Sequence, residues 1–329
     1  MTTLLDVEDL SVTLATKRGP QKAVDGVSFS VAEGEILGLA GESGSGKTMT
    51  AMALLGLLPH GARTGGAARF AGEDLLRLPR ERLRAVRGRQ IALVSQDPAT
   101  SLHPMLSIET QLTEHVRHHL GLSKADARAR AVDLLATVRI PDPEEALRRH
   151  PGQFSGGMRQ RIAIASALAC RPRLLLADEP TTALDVTVQA GILRLLDRLR
   201  REQGLAVVVI THDLGVMSAV ADRVAVMYGG RLVEVGARAD VLSAPRHPYT
   251  RGLLDALPHP ETSSETSTVA LRPIAGSPPA LGHVAAGCAF EPRCPYRQPG
   301  CARARPPLAS IGAGRHLACP VDPLAGAHG

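Results

Sequence analysis

The segment Gly41-Glu42-Ser43-Gly44-Ser45-Gly46-Lys47-Thr48 has the residue types and spacing of a phosphate cradle. It satisfies the pattern G-x-x-x-x-G-K-[ST] in full, between a predicted strand and a predicted helix. Glycines let the backbone close around an anion, so that successive N–H groups and the helix N-terminus point at it. Lys47 would add a cation at the β- and γ-phosphates, and the Thr48 hydroxyl would ligate Mg²⁺. A second constellation complements it. The apolar run Leu174–Ala177 ends in Asp178 and Glu179. Asp178 at the strand edge would hold Mg²⁺ through water, and Glu179, pointing the other way, would polarise an attacking water.

A different chemistry is concentrated near the C-terminus. Four of the five cysteines, Cys288, Cys294, Cys301 and Cys319, follow the spacing C-x5-C-x6-C-x17-C. A disulfide framework is disfavoured in a reducing compartment. Zinc more usually comes with close Cys-x2–4-Cys pairs, which are absent. Four thiolates suit a [4Fe–4S] cluster, although the spacing is not a ferredoxin pattern. Cluster, zinc and metal-free thiols stay open at this point. Cys170 stands apart and reads as a buried core residue.

The elements that must position these groups read as α/β. Strands are expected at Val24–Val31, Glu35–Ala40, Gln90–Val94, Arg173–Ala177 and Ala206–Ile210. Helices are expected over Lys47–Leu57, ending near Pro59, and over Val186–Arg201 as a β-α-β crossover. From Ser107 to Leu168 the strand signal vanishes, and amphipathic runs such as Ser123–Val138, with Ser123 as N-cap, take over. After Pro258, Pro, Gly, Ser and Thr rise, and Glu261–Thr268 has a linker's composition. The expected organisation is a nucleotide-binding domain over 1–258 with a helical subdomain at about 97–170, a linker at 259–271, and a Cys-rich region at 272–329.

Composition narrows the function classes. The 329 residues are 44% hydrophobic and 21% charged, a globular balance that excludes disorder throughout. Apolar runs such as Leu205–Ile210 are far below the ~18 residues needed to span a bilayer. The N-terminal segment MTTLLDVEDL carries acids and no basic n-region, so no secretory signal is expected and the default compartment is the cytoplasm. The net charge of +6 comes with only four lysines, Lys17, Lys22, Lys47 and Lys124, and with arginines dispersed among acids. With 2% aromatics and no Trp there is little material for base stacking, which argues against a nucleic-acid partner.

Phe154-Ser155-Gly156-Gly157-Met158, followed by Arg159-Gln160-Arg161, resembles the signature of ATP-binding-cassette (ABC) ATPases, whose usual core is Leu-Ser-Gly-Gly-Gln. The variant here is typical of peptide-importer ATPases. The resemblance implies a P-loop fold with ATP sandwiched between one subunit's phosphate loop and the other's signature. Ser155 and the N–H groups of Gly156 and Gly157 would meet the second subunit's ATP. It further implies that Gln96 touches Mg²⁺ and senses the γ-phosphate, that Asp185 closes a loop (Thr182–Asp185) crossing the dimer interface, and that His212 contacts the γ-phosphate. The family's adenine-stacking aromatic falls near Leu14, and residues 1–28 contain none, which leaves base recognition open.

Arg246-His-Pro-Tyr-Thr-Arg251, Pro273–Pro279 and Gly287–Pro295 extend the resemblance into the tail of oligopeptide/dipeptide importers and related nickel importers. It implies an ATP-hydrolysing importer subunit at the cytoplasmic face of the membrane. Its partners would be a second, different ATPase subunit, two permease subunits and, through them, an extracytoplasmic peptide-binding protein. It also favours a [4Fe–4S] cluster on Cys288, Cys294, Cys301 and Cys319. A nickel or other small-solute importer is the alternative. A cassette ATPase acting on nucleic acid or ribosomes fits less well, since such proteins usually carry two cassettes or a long coiled-coil insertion.

Overall fold

Leu174 and Leu176 enter one apolar core and Leu175 and Ala177 enter another, as the two-residue period of a strand requires. Val208 and Ile210 against Val207 and Val209 divide in the same way. A sheet covered on both faces needs continuous apolar strands, and these are such strands. The computed structural model describes residues 2–97, 101–181, 184–257, 273–282 and 286–324. The expected linker at 259–271 and the pair Thr182 and Ala183 lie outside the described residues.

The strands are β1 (Thr3–Thr16), β2 (Gly19–Ala32), β3 (Ile36–Ala40), β4 (Arg63–Phe70), β5 (Glu73–Asp74), β6 (Ile91–Val94), β7 (Leu174–Asp178), β8 (Ala206–Thr211), β9 (Arg223–Tyr228), β10 (Arg231–Ala237), β11 (Ala309–Gly312) and β12 (Arg315–Leu317). An antiparallel sheet has the order β2-β1-β4-β5, and a mixed sheet the order β11-β12-β10-β9-β3-β8-β7-β6. The run β9-β3-β8-β7-β6 is parallel, and the strands beyond β9 are antiparallel.

Helix α1 (Lys47–Leu54) places Ala51, Ala53 and Leu54 in the core shared by the two sheets. The expected extension to Leu57 does not form, because Gly56 turns out of the helix at φ 58°. Helix α2 (Arg80–Val86) follows β5. Between β6 and β7 the described elements are all helical: α3 (Ile108–Leu120), α4 (Lys124–Thr137), α5 (Pro143–Arg148), a short 3₁₀ turn, and α6 (Gly156–Leu168). With α7 (Val186–Gln203) and α8 (Leu214–Val220) they cover the mixed sheet's other face through Leu112, Leu135, Leu147, Ile162, Ile192 and Val216. Ser107, Ser123, Ser155 and Asp185 are side-chain N-caps of α3, α4, α6 and α7, each accepting an N–H three residues on.

Helices α9 (Arg238–Ser243) and α10 (Pro248–Asp255) precede the tail. The tail rejoins the body, since β12 pairs with β10 at Glu234↔Leu317 and Val235↔His316. A third core gathers Tyr228, Val233, Tyr249 and Phe290 with Cys288 and Cys294 at its margin. Cys170 is buried. Among the described residues no helix is long and apolar enough to cross a membrane.

Candidate nucleotide-binding and catalytic site

Parallel pairing sets the site's geometry. The registers Ala40↔Thr211, Asp178↔Ile210 and Val94↔Ala177 align the carboxyl ends of β3, β8, β7 and β6. The residues just past these ends therefore emerge on one edge, the usual ligand edge of such a sheet. Past β3 lies the glycine loop, at the end of β7 are Asp178 and Glu179, past β8 is His212, and past β6 is Gln96.

The loop's tightness depends on two glycines. Gly41 has φ 147°, and a Cβ there would stand 2.2 Å from the Met227 carbonyl oxygen. Gly46 has φ 105°, and its Cβ would lie 2.7 Å from the Ala23 carbonyl oxygen. Gly46 is also the N-cap of α1 and gives it no side-chain cap, so the helix's first N–H groups remain available to an anion. Ser43 and Gly44 form the exposed crown of the loop, while Ser45 is buried and its carbonyl accepts from the Gly230 N–H at 3.0 Å.

Lys47 is 5% exposed. Its ammonium donates to Gly41 O at 2.7 Å, Glu42 O at 2.9 Å and Ser45 Oγ at 3.3 Å. Burial lowers its pKa, and the charges of Glu179, Asp178 and Glu42 oppose that shift. Burial raises the Asp178 carboxyl, with a hydrogen bond from Thr48 acting against it. Asp178 Oδ1 is buried with no hydrogen-bond partner. An orphaned carboxylate oxygen beside a threonine hydroxyl is an oxygen donor set suited to a hard cation, so these residues fit Mg²⁺.

Glu179 sits at φ 47°, with its N–H donating to Ile210 O at 2.8 Å. Its Oε2 accepts from Gln96 Nε2 at 3.2 Å. Its Oε1 meets His212 Nδ1 at 3.0 Å, so an ionised Glu179 takes the Nδ1–H tautomer of the ring. Three residues expected from separate motifs thus form one hydrogen-bonded group.

The signature residues stand elsewhere. Ser155 accepts from the Met158 N–H at 3.3 Å, and Asp185 accepts from the Val188 N–H at 2.9 Å. A Cβ on Gly157 would lie 2.7 Å from Val188 Cγ1, so the heads of α6 and α7 are neighbours. Among the described residues no hydrogen bond or ion pair joins Ser155, Gly156, Gly157 or Asp185 to the glycine loop within this chain. Leu14, opposite Gln21, packs partly buried on the first core.

The structure adds residues that motif spacing did not reveal. The Glu42 N–H donates to Tyr249 Oη at 2.8 Å. The Glu42 carboxylate takes a two-pronged ion pair from Arg293, at 2.7 and 3.1 Å. Glu234, 0% exposed, accepts from the Arg246 N–H at 2.9 Å, the His247 N–H at 3.0 Å and Arg315 Nη2 at 2.5 Å. The Arg246–Arg251 segment is therefore pinned by a buried acid at its start and by the loop at Tyr249. Its tyrosine was visible in the sequence, but nothing in the spacing announced a partner 207 residues away.

The four tail cysteines line one small pocket with His247, Phe290 and Tyr296. The Cys288 N–H donates to Cys301 O at 2.8 Å. Burial raises the Cys288 and Cys319 thiols and pushes Cys294 up to about 11, neighbouring sulfurs adding to each shift. Burial pushes His247 down to about 3, so its ring is neutral. Its Nδ1 accepts from the Tyr249 N–H at 3.1 Å, and its buried Nε2 has no partner. The thiols share a pocket, yet among the described residues no three His, Cys, Asp or Glu side chains are arranged to hold a metal ion.

A glycine loop between a parallel strand and a helix, with an acid pair and a histidine at the neighbouring strand ends, defines a P-loop ATPase of the ABC class. The ABC transporter family model matches residues 24–182, and the model for the C-terminal region of oligopeptide/dipeptide transporters matches residues 233–301. The oligopeptide transport ATP-binding protein OppD of Salmonella typhimurium is 48% identical over 98% of this chain and 95% of its own. The dipeptide transport ATP-binding protein DppD of Bacillus subtilis is 47% identical over 93% of this chain and 91% of its own. Among solved structures, the dimeric post-hydrolysis state of the ATP-binding cassette MJ0796 bound to ADP and Pi superposes with a TM-score of 0.64 and 28% identity, over 71% of this chain and 98% of that one. The chain belongs to the oligopeptide/dipeptide branch of the ABC transporter ATP-binding proteins.

Proposed function

We propose that this chain hydrolyses ATP to power peptide uptake through separate permease subunits at the cytoplasmic face of the membrane. The observation that carries the reading is the convergence of Lys47, Asp178, Glu179, Gln96 and His212 on one sheet edge around the glycine loop. The loop N–H groups and Lys47 hold the β- and γ-phosphates. Mg²⁺ held by Thr48, Asp178 and Gln96 would supply neutralisation of phosphate charge. Glu179, oriented by Gln96 and His212, takes a proton as water attacks the γ-phosphorus and the bond to the β-phosphate oxygen breaks. His212 then contacts the γ-phosphate side of the site.

Ser155, Gly156, Gly157 and Asp185, which make no bond to the loop in this chain, are assigned to a second subunit's ATP across a closed dimer. ATP closes that pair by binding the closed state more tightly. We assign the partner as a different ATPase chain, with two permeases and an extracytoplasmic peptide-binding protein completing the transporter. The all-helical stretch within 97–170 is assigned as a subdomain, and 272–329 as the Cys-rich region. We assign Cys288, Cys294, Cys301 and Cys319 to a [4Fe–4S] cluster of structural role on the family resemblance of the tail, although the four thiols, which line one pocket, are not arranged to hold a metal ion in this structure; zinc in colourless anaerobic protein would overturn it.

The test is a pair of variants in the transporter complex. Lys47→Ala should abolish ATP turnover, and Glu179→Gln should retain ATP while slowing hydrolysis by about 10²–10⁴-fold. Wild-type turnover in either removes that residue from its role.

A further inference from the structure

The loop that this reading assigns to phosphates is held from outside by a residue 251 positions away, Arg293. Its side chain is 6% exposed, against 27% for Glu42. Besides the two bonds to Glu42, Arg293 donates to Ala275 O at 2.8 Å, Ile274 O at 3.4 Å and Tyr228 Oη at 3.3 Å. Its guanidinium lies 5.7 Å from the Tyr228 ring centroid and 5.9 Å from that of Phe290. A planar fork, stacked and bonded on all sides, fixes a carboxylate in position in a way that a lysine could not.

Glu42 is held at both ends, by Arg293 at its carboxylate and by Tyr249 at its N–H. Its carbonyl oxygen accepts from Lys47 at 2.9 Å. The position of the Lys47 ammonium is thereby tied to the tail through one residue. Cys294, next in sequence to Arg293, lines the thiol pocket.

We infer that Arg293 is a positioning residue of the nucleotide site: through Glu42 it sets the conformation of the phosphate loop and so couples the docking of the tail to ATP affinity. This rests on the assignment of the loop to ATP. The bland alternative is that Arg293 only fastens the tail. Arg305 distinguishes the two, because it fastens the tail at Asp25, with Nη1 3.2 Å from Oδ2, and makes no bond to the loop.

The experiment is a double-mutant cycle on the full-length chain in its transporter complex, using Arg293→Gln, Glu42→Gln and the pair. ATP KM and kcat are read together with ATP Kd by calorimetry and with Tm. Arg293→Gln should raise Kd and KM about five- to twentyfold, the ordinary size of a coupling between linked sites, with kcat changed less. The double variant should match Glu42→Gln alone. Arg305→Gln should lower Tm and leave KM unchanged. Additive effects in the cycle, or a KM shift as large in Arg305→Gln, would overturn the inference. So would an unchanged KM in Arg293→Gln while Lys47→Ala abolishes turnover. Turnover that survives Lys47→Ala would instead sink the assignment of the loop.

Discussion

Glu179 occupies φ 47°, in the left-handed region that costs a non-glycine residue about 1 kcal/mol. That conformation turns its carboxylate to Gln96 and His212 while its N–H still bonds Ile210 O. Strain of this kind persists where a side chain must be aimed for chemistry, and its cost shows up as lost stability. Glu179→Gly should therefore raise stability by about 1 kcal/mol and abolish hydrolysis. Glu179→Gln, which keeps the strained backbone, should slow hydrolysis by about 10²–10⁴-fold with no such gain. Urea denaturation of the two variants beside the wild type reads the difference; equal stabilities would show that φ at 179 stores nothing.

Among the elements, β2 carries the clearest electrostatic anchor. Asp25, 7% exposed, accepts from Lys22 Nζ at 2.9 Å, from Arg231 Nη2 at 2.7 Å and Nε at 2.9 Å, and from Arg305 Nη1 at 3.2 Å. Burial works to raise its pKa, yet the three cations bring it below the ordinary 3.8. A carboxyl with a depressed folded pKa adds stability that is complete above its unfolded value and is lost as pH falls through the folded one. The stability difference between wild type and Asp25→Asn should thus be constant near neutrality and shrink below about pH 4. Denaturation midpoints of both proteins from pH 7 to 3 measure it, and a gap that widens on acidification would contradict the ion-pair account.

Element legibility followed patterning. The buried parallel strands were readable because their apolar runs were unbroken, and the glycine loop because each residue in it has a mechanical reason. Strand β1 was missed since Asp9, at φ 47°, bulges and shifts the alternation between Val7 and Leu10. Strand β4 was missed because Gly65 and Gly66 dilute it to two buried side chains, Ala68 and Phe70. The group formed by Glu179, Gln96 and His212 was legible only as three positions. Their joining depends on strand order, which spacing does not encode. Tyr249 and Arg293 were legible only as members of tail motifs, and their bonds to Glu42, 207 and 251 residues away, left no signal in the spacing; Glu234 left none at all.

At the scale of the whole molecule, the tail's composition reads as a separate appendage, but its bonds run into the body. β12 extends the sheet that contains β3, Arg293 reaches Glu42, Arg305 reaches Asp25, Arg315 reaches Glu234, and Arg246 pairs with Asp322. Tyr228, Tyr249 and Phe290 pack ring against ring, with centroids 4.5 to 5.3 Å apart. A segment so poor in core of its own borrows the body's core, and the body in turn has buried acids that the tail's arginines neutralise. Unfolding of the full chain should then be one cooperative calorimetric transition, with no early melting of residues 272–329. A chain ending after residue 257 should melt about 6–20 °C lower. Removing the partner of a buried acid such as Glu234 costs about 3–5 kcal/mol, and each kcal/mol moves Tm by about 2–4 °C at this size. Two resolved transitions, or a truncated chain as stable as the whole, would show that the tail is an independent domain and that its arginines contribute nothing to the body.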